Sequence, residues 1–232
     1  MNPTFGKTTA IAALALLLAT GLGAHDKGFG VSSFYFETRV GYEAAFPGMD
    51  FNADASGFRG SFLNMRLDGQ ICEGLTYSYR QRFNKLSDRT FFDATDWIHL
   101  DWKATDWFTL GGGKQVVGIG GYEYDRAPID LYYCSEFWNN IACYQLGISG
   151  TFSVAPGDNL LLQVCNSPMR GYITDDSGNN VGNSKVAVNL MWYGSHGFYE
   201  SIWSANAFQN STDSWMYYVA LGNRFNITEW LR

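Results

Sequence analysis

Beyond residue 25 the chain has no run of 18 apolar residues, yet apolar and polar side chains alternate one by one along most of its length. If such a chain enters a membrane it does so as a closed β-barrel, the one spanning structure besides a helix that pairs every backbone N–H and C=O inside hydrocarbon. Phe34, Phe36, Thr38, Val40 and Tyr42 fall on one side of an extended strand, and Tyr35, Glu37, Arg39, Gly41 and Glu43 on the other. The pattern returns with Leu63, Met65 and Leu67 against Asn64, Arg66 and Asp68, and with Leu75, Tyr77 and Tyr79 against Thr76, Ser78, Arg80 and Arg82. Ile98, Leu100 and Trp102 stand against His99, Asp101 and Lys103; Tyr144, Leu146, Ile148 and Phe152 against Gln145, Ser149 and Thr151; Val186, Val188, Leu190 and Trp192 against Lys185 and Asn189. Weaker alternation at 108–116, 160–167, 198–208 and 214–223 brings the expectation to about ten strands of roughly 8 to 13 residues. Ten residues tilted by about 45° rise roughly 23 Å, the height of a transmembrane barrel's apolar band.

A soluble β-sandwich also alternates, so other features carry the choice. The connections alternate in length: long at 46–57, short at 71–74, long at 85–93, short at 104–106, very long at 117–142, short at 155–159, long at 168–184 and short at 194–197. Outer-membrane barrels connect their strands this way, with tight turns at the periplasmic end and long loops outside. Tyr42, Trp102, Trp107, Trp192, Tyr193, Phe198 and Trp215 sit near strand ends, where amphipathic rings suit the headgroup level. Aromatic residues make up 17% of the chain, more than a soluble core of this size needs. With 46% hydrophobic and 16% charged residues the chain is no disordered segment, and a net charge of -6 leaves no basic excess for nucleic acid.

The first 24 residues read as a secretory signal peptide: Lys7 gives the positive start, residues 9–20 the apolar stretch, and small residues follow to Ala24. The rest, 25–232, is expected to be one all-β unit, an antiparallel transmembrane β-barrel. Ala104-Thr105-Asp106-Trp107-Phe108 opens one strand, and Ile227-Thr228-Glu229-Trp230-Leu231 has the same make-up, so a further strand is expected to start at Trp230. Long polar side chains on the inner face and a 26-residue loop at 117–142 suit a wide barrel. The expectation is therefore the N-terminal part of a barrel of about 16 to 18 strands, truncated after about ten.

Gly113-Lys114-Gln115 ends one strand, Gly120-Gly121-Tyr122-Glu123 follows, Ser135-Glu136-Phe137 lies in the loop, and Gln145-Leu146-Gly147 opens the next strand. This segment resembles the phosphate-selective porin family of bacterial outer membranes, with Bacteroidetes-type members closest in style. In that family a Gly-Lys-like pair precedes a Pro-Phe-Gly-x-Glu stretch and the following loop folds into the lumen; here Val116-Val117-Gly118 stands in that place. The resemblance implies a 16-strand channel, usually a homotrimer, set in outer-membrane lipid and passing small anions or other small solutes without a cofactor.

By parity the charges on the water-facing side are Arg39, Arg66, Arg80, Arg82, Lys103 and Lys185 against Glu37, Glu43, Asp68 and Asp101. Lys114 is counted with this pore-lining set. Rings of Arg and Lys favour anions, and the guanidinium fork fits phosphate oxygens. The competing reading makes these residues ordinary cross-strand pairs of a solvated wall. Tyr122, Glu123, Asp125, Arg126 and Asp130 are the candidates for a constriction loop, since a loop of this length is more often functional than idle. Two other classes compete: an outer-membrane hydrolase built on His99, Asp101 and Ser78 or Ser87, and a secreted all-β module holding glycans on surface aromatics. Cys134 and Cys143 are the one pair placed for a disulfide, and no spacing fits a metal.

Overall fold

The computed structural model describes residues 28–87, 89–126, 128–169, 185–211 and 213–228. The expected signal peptide, most of the 168–184 loop and Trp230 lie outside the described residues. Ten strands form a single sheet: β1 (Gly30–Ala45), β2 (Asn52–Cys72), β3 (Leu75–Arg82), β4 (Thr95–Lys103), β5 (Phe108–Val116), β6 (Tyr144–Ala155), β7 (Asp158–Asn166), β8 (Val186–His196), β9 (Tyr199–Ser211) and β10 (Ser214–Phe225). They lie in sequence order, every neighbour antiparallel. Among the described residues no pairing joins β1 to β10, so the sheet is an open wall with two free edges.

The alternation explains the two faces. Phe34, Phe36, Val40, Leu63, Ile98, Leu100, Leu146, Ile148, Val188 and Val219 are all substantially exposed. A soluble protein does not present such a continuous apolar face to water. The opposite face carries Asn64, Arg80, Gln163, Asn189 and Asn206, each nearly inaccessible. This is a fold turned outside in, as a membrane wall requires. At the tight-turn end Trp107, Phe108 and Phe152 cluster on the apolar side, as do Phe198, Tyr199 and Phe225.

Tight turns join β2 to β3, β6 to β7 and β8 to β9; Gly74, Gly157 and Gly197 hold φ of 77°, 86° and 68° there, a region L side chains avoid. The first hairpin departs from the sequence reading. The expected loop at 46–57 shrinks to 46–51, turned by Pro47–Met49, because β2 already starts at Asn52. Its 21 residues include bulges, and the 16 residues of β1 that pair with it, tilted by about 45°, rise roughly 37 Å against an apolar band of about 25 Å, so the hairpin tip stands clear of any bilayer the sheet crosses.

Candidate functional site

The segment after β5 does not project away from the sheet. It folds across the polar face of β7 to β10. Val117 N donates to Cys143 O at 2.9 Å, bringing the two ends of the excursion together. Gly118 N then donates to Gln163 Oε1 (2.8 Å), Gly120 N to Ser204 Oγ (2.8 Å) and Gly121 N to Ile202 O (2.9 Å), while the Tyr122 hydroxyl reaches Glu200 O (3.1 Å). The glycines permit the approach: a Cβ at Gly120 would lie 2.8 Å from Ser204 N and from Trp203 C, and one at Gly222 would lie 2.8 Å from Gly121 Cα. The Gly118–Gly121 run therefore marks close packing of backbone on backbone.

A ladder of side-chain amides receives it. Gln163 Nε2 donates to Gln115 Oε1 (3.2 Å) and to Val116 O (2.9 Å), and Asn189 Nδ2 donates to Gln163 Oε1 (2.9 Å). Asn206 Nδ2 donates to Asn189 Oδ1 (2.8 Å) and to Gly118 O (2.6 Å), and Ser204 Oγ donates to Asn206 Oδ1 (2.7 Å). An amide carries both donors and an acceptor, so neighbours on adjacent strands satisfy one another and still serve the loop backbone. Sequence reasoning noted Asn189 as a polar-face residue but missed this ladder; the available signal was the recurrence of Gln or Asn at inward positions of three consecutive strands, β7, β8 and β9. An apolar cluster completes the seat, with Val117, Ile119, Tyr124 and Ile141 of the loop packed on Cys165, Ala187 and Phe208.

Within the loop, Glu123 is tied to Ser135, accepting from its N (2.6 Å) and its Oγ (2.7 Å), and Ser135 Oγ caps the short helix α2 (Glu136–Asn140) by accepting from Trp138 N (3.1 Å). Phe137 stacks on Tyr218 of β10 at 4.0 Å, and Arg224 lies over the Tyr122 ring at 4.0 Å. Burial of the Tyr124 side chain pushes its hydroxyl pKa well above the ordinary tyrosine range. Arg39 holds the far side of the loop: its Nη1 donates to Ile129 O (2.9 Å) and Leu131 O (2.8 Å), and its guanidinium lies 4.5 Å from the Tyr132 ring. Asp130 sits in the turn Pro128–Asp130 that this grip fixes. Of the five constriction candidates, Tyr122 and Glu123 are anchors, Asp130 lies in the clamped turn, and Asp125 and Arg126, at the end of helix α1 (Tyr122–Asp125), are exposed.

The wall charges form a network. Arg80, 1% exposed at its side chain, pairs with Glu37 and lies 3.6 Å from Asp96; Arg82 donates to Asp96 through Nη2 (2.9 Å); Arg66 pairs with Asp68 (2.9 Å). Trp97 lies under both the Arg66 and Arg80 guanidinium groups, at 5.4 and 5.0 Å. Asp96 was not anticipated on this face. Strict alternation with Ile98 sends it outward, but the pairing skips from Arg80↔Trp97 to Gln81↔Thr95, and this bulge turns the carboxylate inward.

Lys103 lies at the tight-turn end, paired with Asp106 at 2.8 Å; that hydrogen bond holds the Asp106 carboxyl below the usual carboxylate range. Lys185 is buried beside the start of β8, its Nζ 3.2 Å from Asn210 O. Glu43 pairs with Arg59 on the extended first hairpin. Lys114 corrects the pore-lining set. It lies opposite Ile98 and Leu146, on the apolar face, one residue beyond Gly113, and its Nζ donates to Phe92 O (3.0 Å) and to Thr95 O under the 83–94 loop.

Two cavities flank the loop tip. One, of about 150 Å³, lies between Tyr124, Asp125 and Arg126 and the wall residues Glu37, Arg66, Arg80 and Trp97. The other, of about 320 Å³, lies between the loop and the tight-turn end of the polar face, with His99, Asp101, Gln115, Ser149 and Tyr193 in its wall. His99 Nδ1 and Asp101 Oδ2 are 3.0 Å apart, but the Ser78 hydroxyl donates to Asp68 and accepts from Trp97 Nε1, so these three do not form a relay. No disulfide joins any of Cys72, Cys134, Cys143 and Cys165.

No curated protein and no solved structure matches the chain. A family model does: the one described as phosphate-selective porin O and P matches residues 34–200, from β1 to the start of β9, including the inward loop and most of the amide ladder. An antiparallel wall with its apolar side outward, a loop laid across its polar side, and a family match over more than half of the sequence agree, and the chain belongs to the phosphate-selective porin O and P family.

Proposed function

We propose that the chain forms the wall of a water-filled channel in a bacterial outer membrane, through which small solutes and ions diffuse, and that residues 117–142 narrow it. The observation that carries this reading is the passage of Gly118–Tyr122 across the polar face, hydrogen-bonded to Gln163 of β7 and to Asn206, Ser204, Ile202 and Glu200 of β9. A loop held inside a barrel sets the cross-section that solutes meet. The free edges of β1 and β10 carry unpaired backbone groups that hydrocarbon does not tolerate, so further strands are read as completing the ring.

The solute preference rests on which charges stay reachable. Arg80 and Arg82 are consumed by Glu37 and Asp96, which favours the wall-pair reading for most of the ladder. Arg66, about a third exposed, and the exposed Arg126 face the smaller cavity from opposite sides. They support a weak preference for small anions, phosphate included, offset by Asp125.

Reconstitution into planar bilayers under a potassium chloride gradient tests this reading. The wild type should show discrete conductance steps and a reversal potential on the anion-selective side. Arg126→Ala together with Arg66→Ala should move the reversal potential toward cations, and an unchanged potential refutes the role given to these two residues.

A further inference from the structure

The larger cavity has two unlike walls. One side is polar and not cationic: Asp101 with its His99 partner, Gln115, Ser149 and Thr151, supplying carboxylate, amide and hydroxyl groups. The other side is Leu161, Met191, Ile202 and Tyr193. Among the described residues no lysine or arginine lines it, and Asp125 at its mouth adds a second negative charge. A small anion has no partner in such a space. Among the described residues no group of three or more His, Cys, Asp or Glu side chains gathers there to hold a bare cation.

A molecule with many hydroxyls and one C–H face fits both walls at once. Its hydroxyls satisfy the carboxylate, amide and Ser/Thr groups, and its ring carbons cover the apolar side and the tyrosine. At about 320 Å³ the cavity falls in the range of small-molecule sites, roughly 300–1,000 Å³. We infer that the space between the inward loop and the tight-turn end of the wall is a binding subsite for a neutral polyhydroxylated solute of monosaccharide size. The inference rests on the channel reading above and names a second class of passenger for the same passage, lodged on the side of the loop away from the long connections.

The test uses the full chain in planar bilayers, with glucose as the probe. Occupancy of the subsite should reduce the ion current in a saturable way. Ser149→Leu, which projects a branched side chain into the cavity, should abolish saturation. Thr151→Val, nearly the same shape without the hydroxyl, should raise the half-blocking concentration several-fold. Heat-modifiable migration on gels verifies that each variant is folded. Current that falls only with solution viscosity, equally in wild type and Ser149→Leu, overturns the subsite and leaves the channel standing. Absence of any ion current from the wild type overturns the channel reading and the subsite with it.

Discussion

Asn206 Nδ2 donates to the Gly118 carbonyl at 2.6 Å, joining β9 to a loop 88 residues earlier in the chain. The same amide group also donates to Asn189 and its oxygen accepts from Ser204, so one buried side chain holds the loop and locks two strands. Asn206→Leu leaves Gly118 O and Asn189 Oδ1 without this donor, at a cost of about 1–3 kcal/mol for each group left unsatisfied in a buried position. The expected outcome is a loop that leaves the wall. Limited proteolysis should cut within 118–142 in the variant and spare the wild type.

Gly120→Val tests the same contact from the loop side. Its Cβ would meet Ser204 N and Trp203 C at 2.8 Å, and neither backbone atom can retreat without breaking the β9 pairings. The variant should assemble into membranes but pass current with larger or less steady steps.

Arg80 and Arg126 should part company. Arg80→Ala takes the paired cation from Glu37 and leaves Asp96 to Arg82 alone, and should destabilise the fold by about 3–5 kcal/mol, read as a lower urea midpoint for the folded form. Arg126→Ala touches an exposed side chain and should leave the stability within about 0.5 kcal/mol of wild type, read as an almost unshifted midpoint.

The outer face should refuse charge. Ile148, well exposed on the apolar side of β6, replaced by Lys should cost about 2–4 kcal/mol if it lies near the bilayer midplane. The folded fraction in lipid vesicles should fall in titrations with urea, whereas a sheet packed in water would gain solubility from the same change.

Burial, and then the nearby Glu123 carboxylate, push the Cys134 thiol above its ordinary pKa. A raised pKa means less thiolate at a given pH. In a variant retaining Cys134 alone, maleimide labelling at pH 8 should be slower than that of a free small thiol and should keep rising with pH beyond the range where the small thiol has levelled off. Glu123→Gln should speed it.

The two faces of the wall were legible from the sequence because side chains in a strand alternate without exception until a bulge intervenes: Phe34 to Tyr42 and Val186 to Trp192 fall as expected. Where the backbone departs from regular pairing, the reading departs too. Asp96 turns inward at a bulge that no local residue announces. Lys114 is counted with the pore-lining set in the sequence, but the β4–β5 register puts it beside Ile98. In the first hairpin the register shifts between Asn52, opposite Ala45, and Gly57, opposite Glu43, and Ser56 Oγ bridges the gap by accepting from Ala45 N and donating to Asn52 O; this polar and small stretch reads as a loop because such contacts, not apolar side chains, hold it. The long loop at 117–142 is read from its length and the resemblance, but the side chains that seat it, Gln163 and Asn206 with Asn189 between them, act through contacts distant in sequence.

The central claim is a channel narrowed from within, and single-channel recording measures it directly. Wild type and a variant with residues 122–141 replaced by a short Gly-Ser linker are reconstituted side by side in planar bilayers. Discrete wild-type steps and clearly larger steps for the variant are the expected result; a wild type that carries no current, or two proteins with equal conductance, contradicts the account.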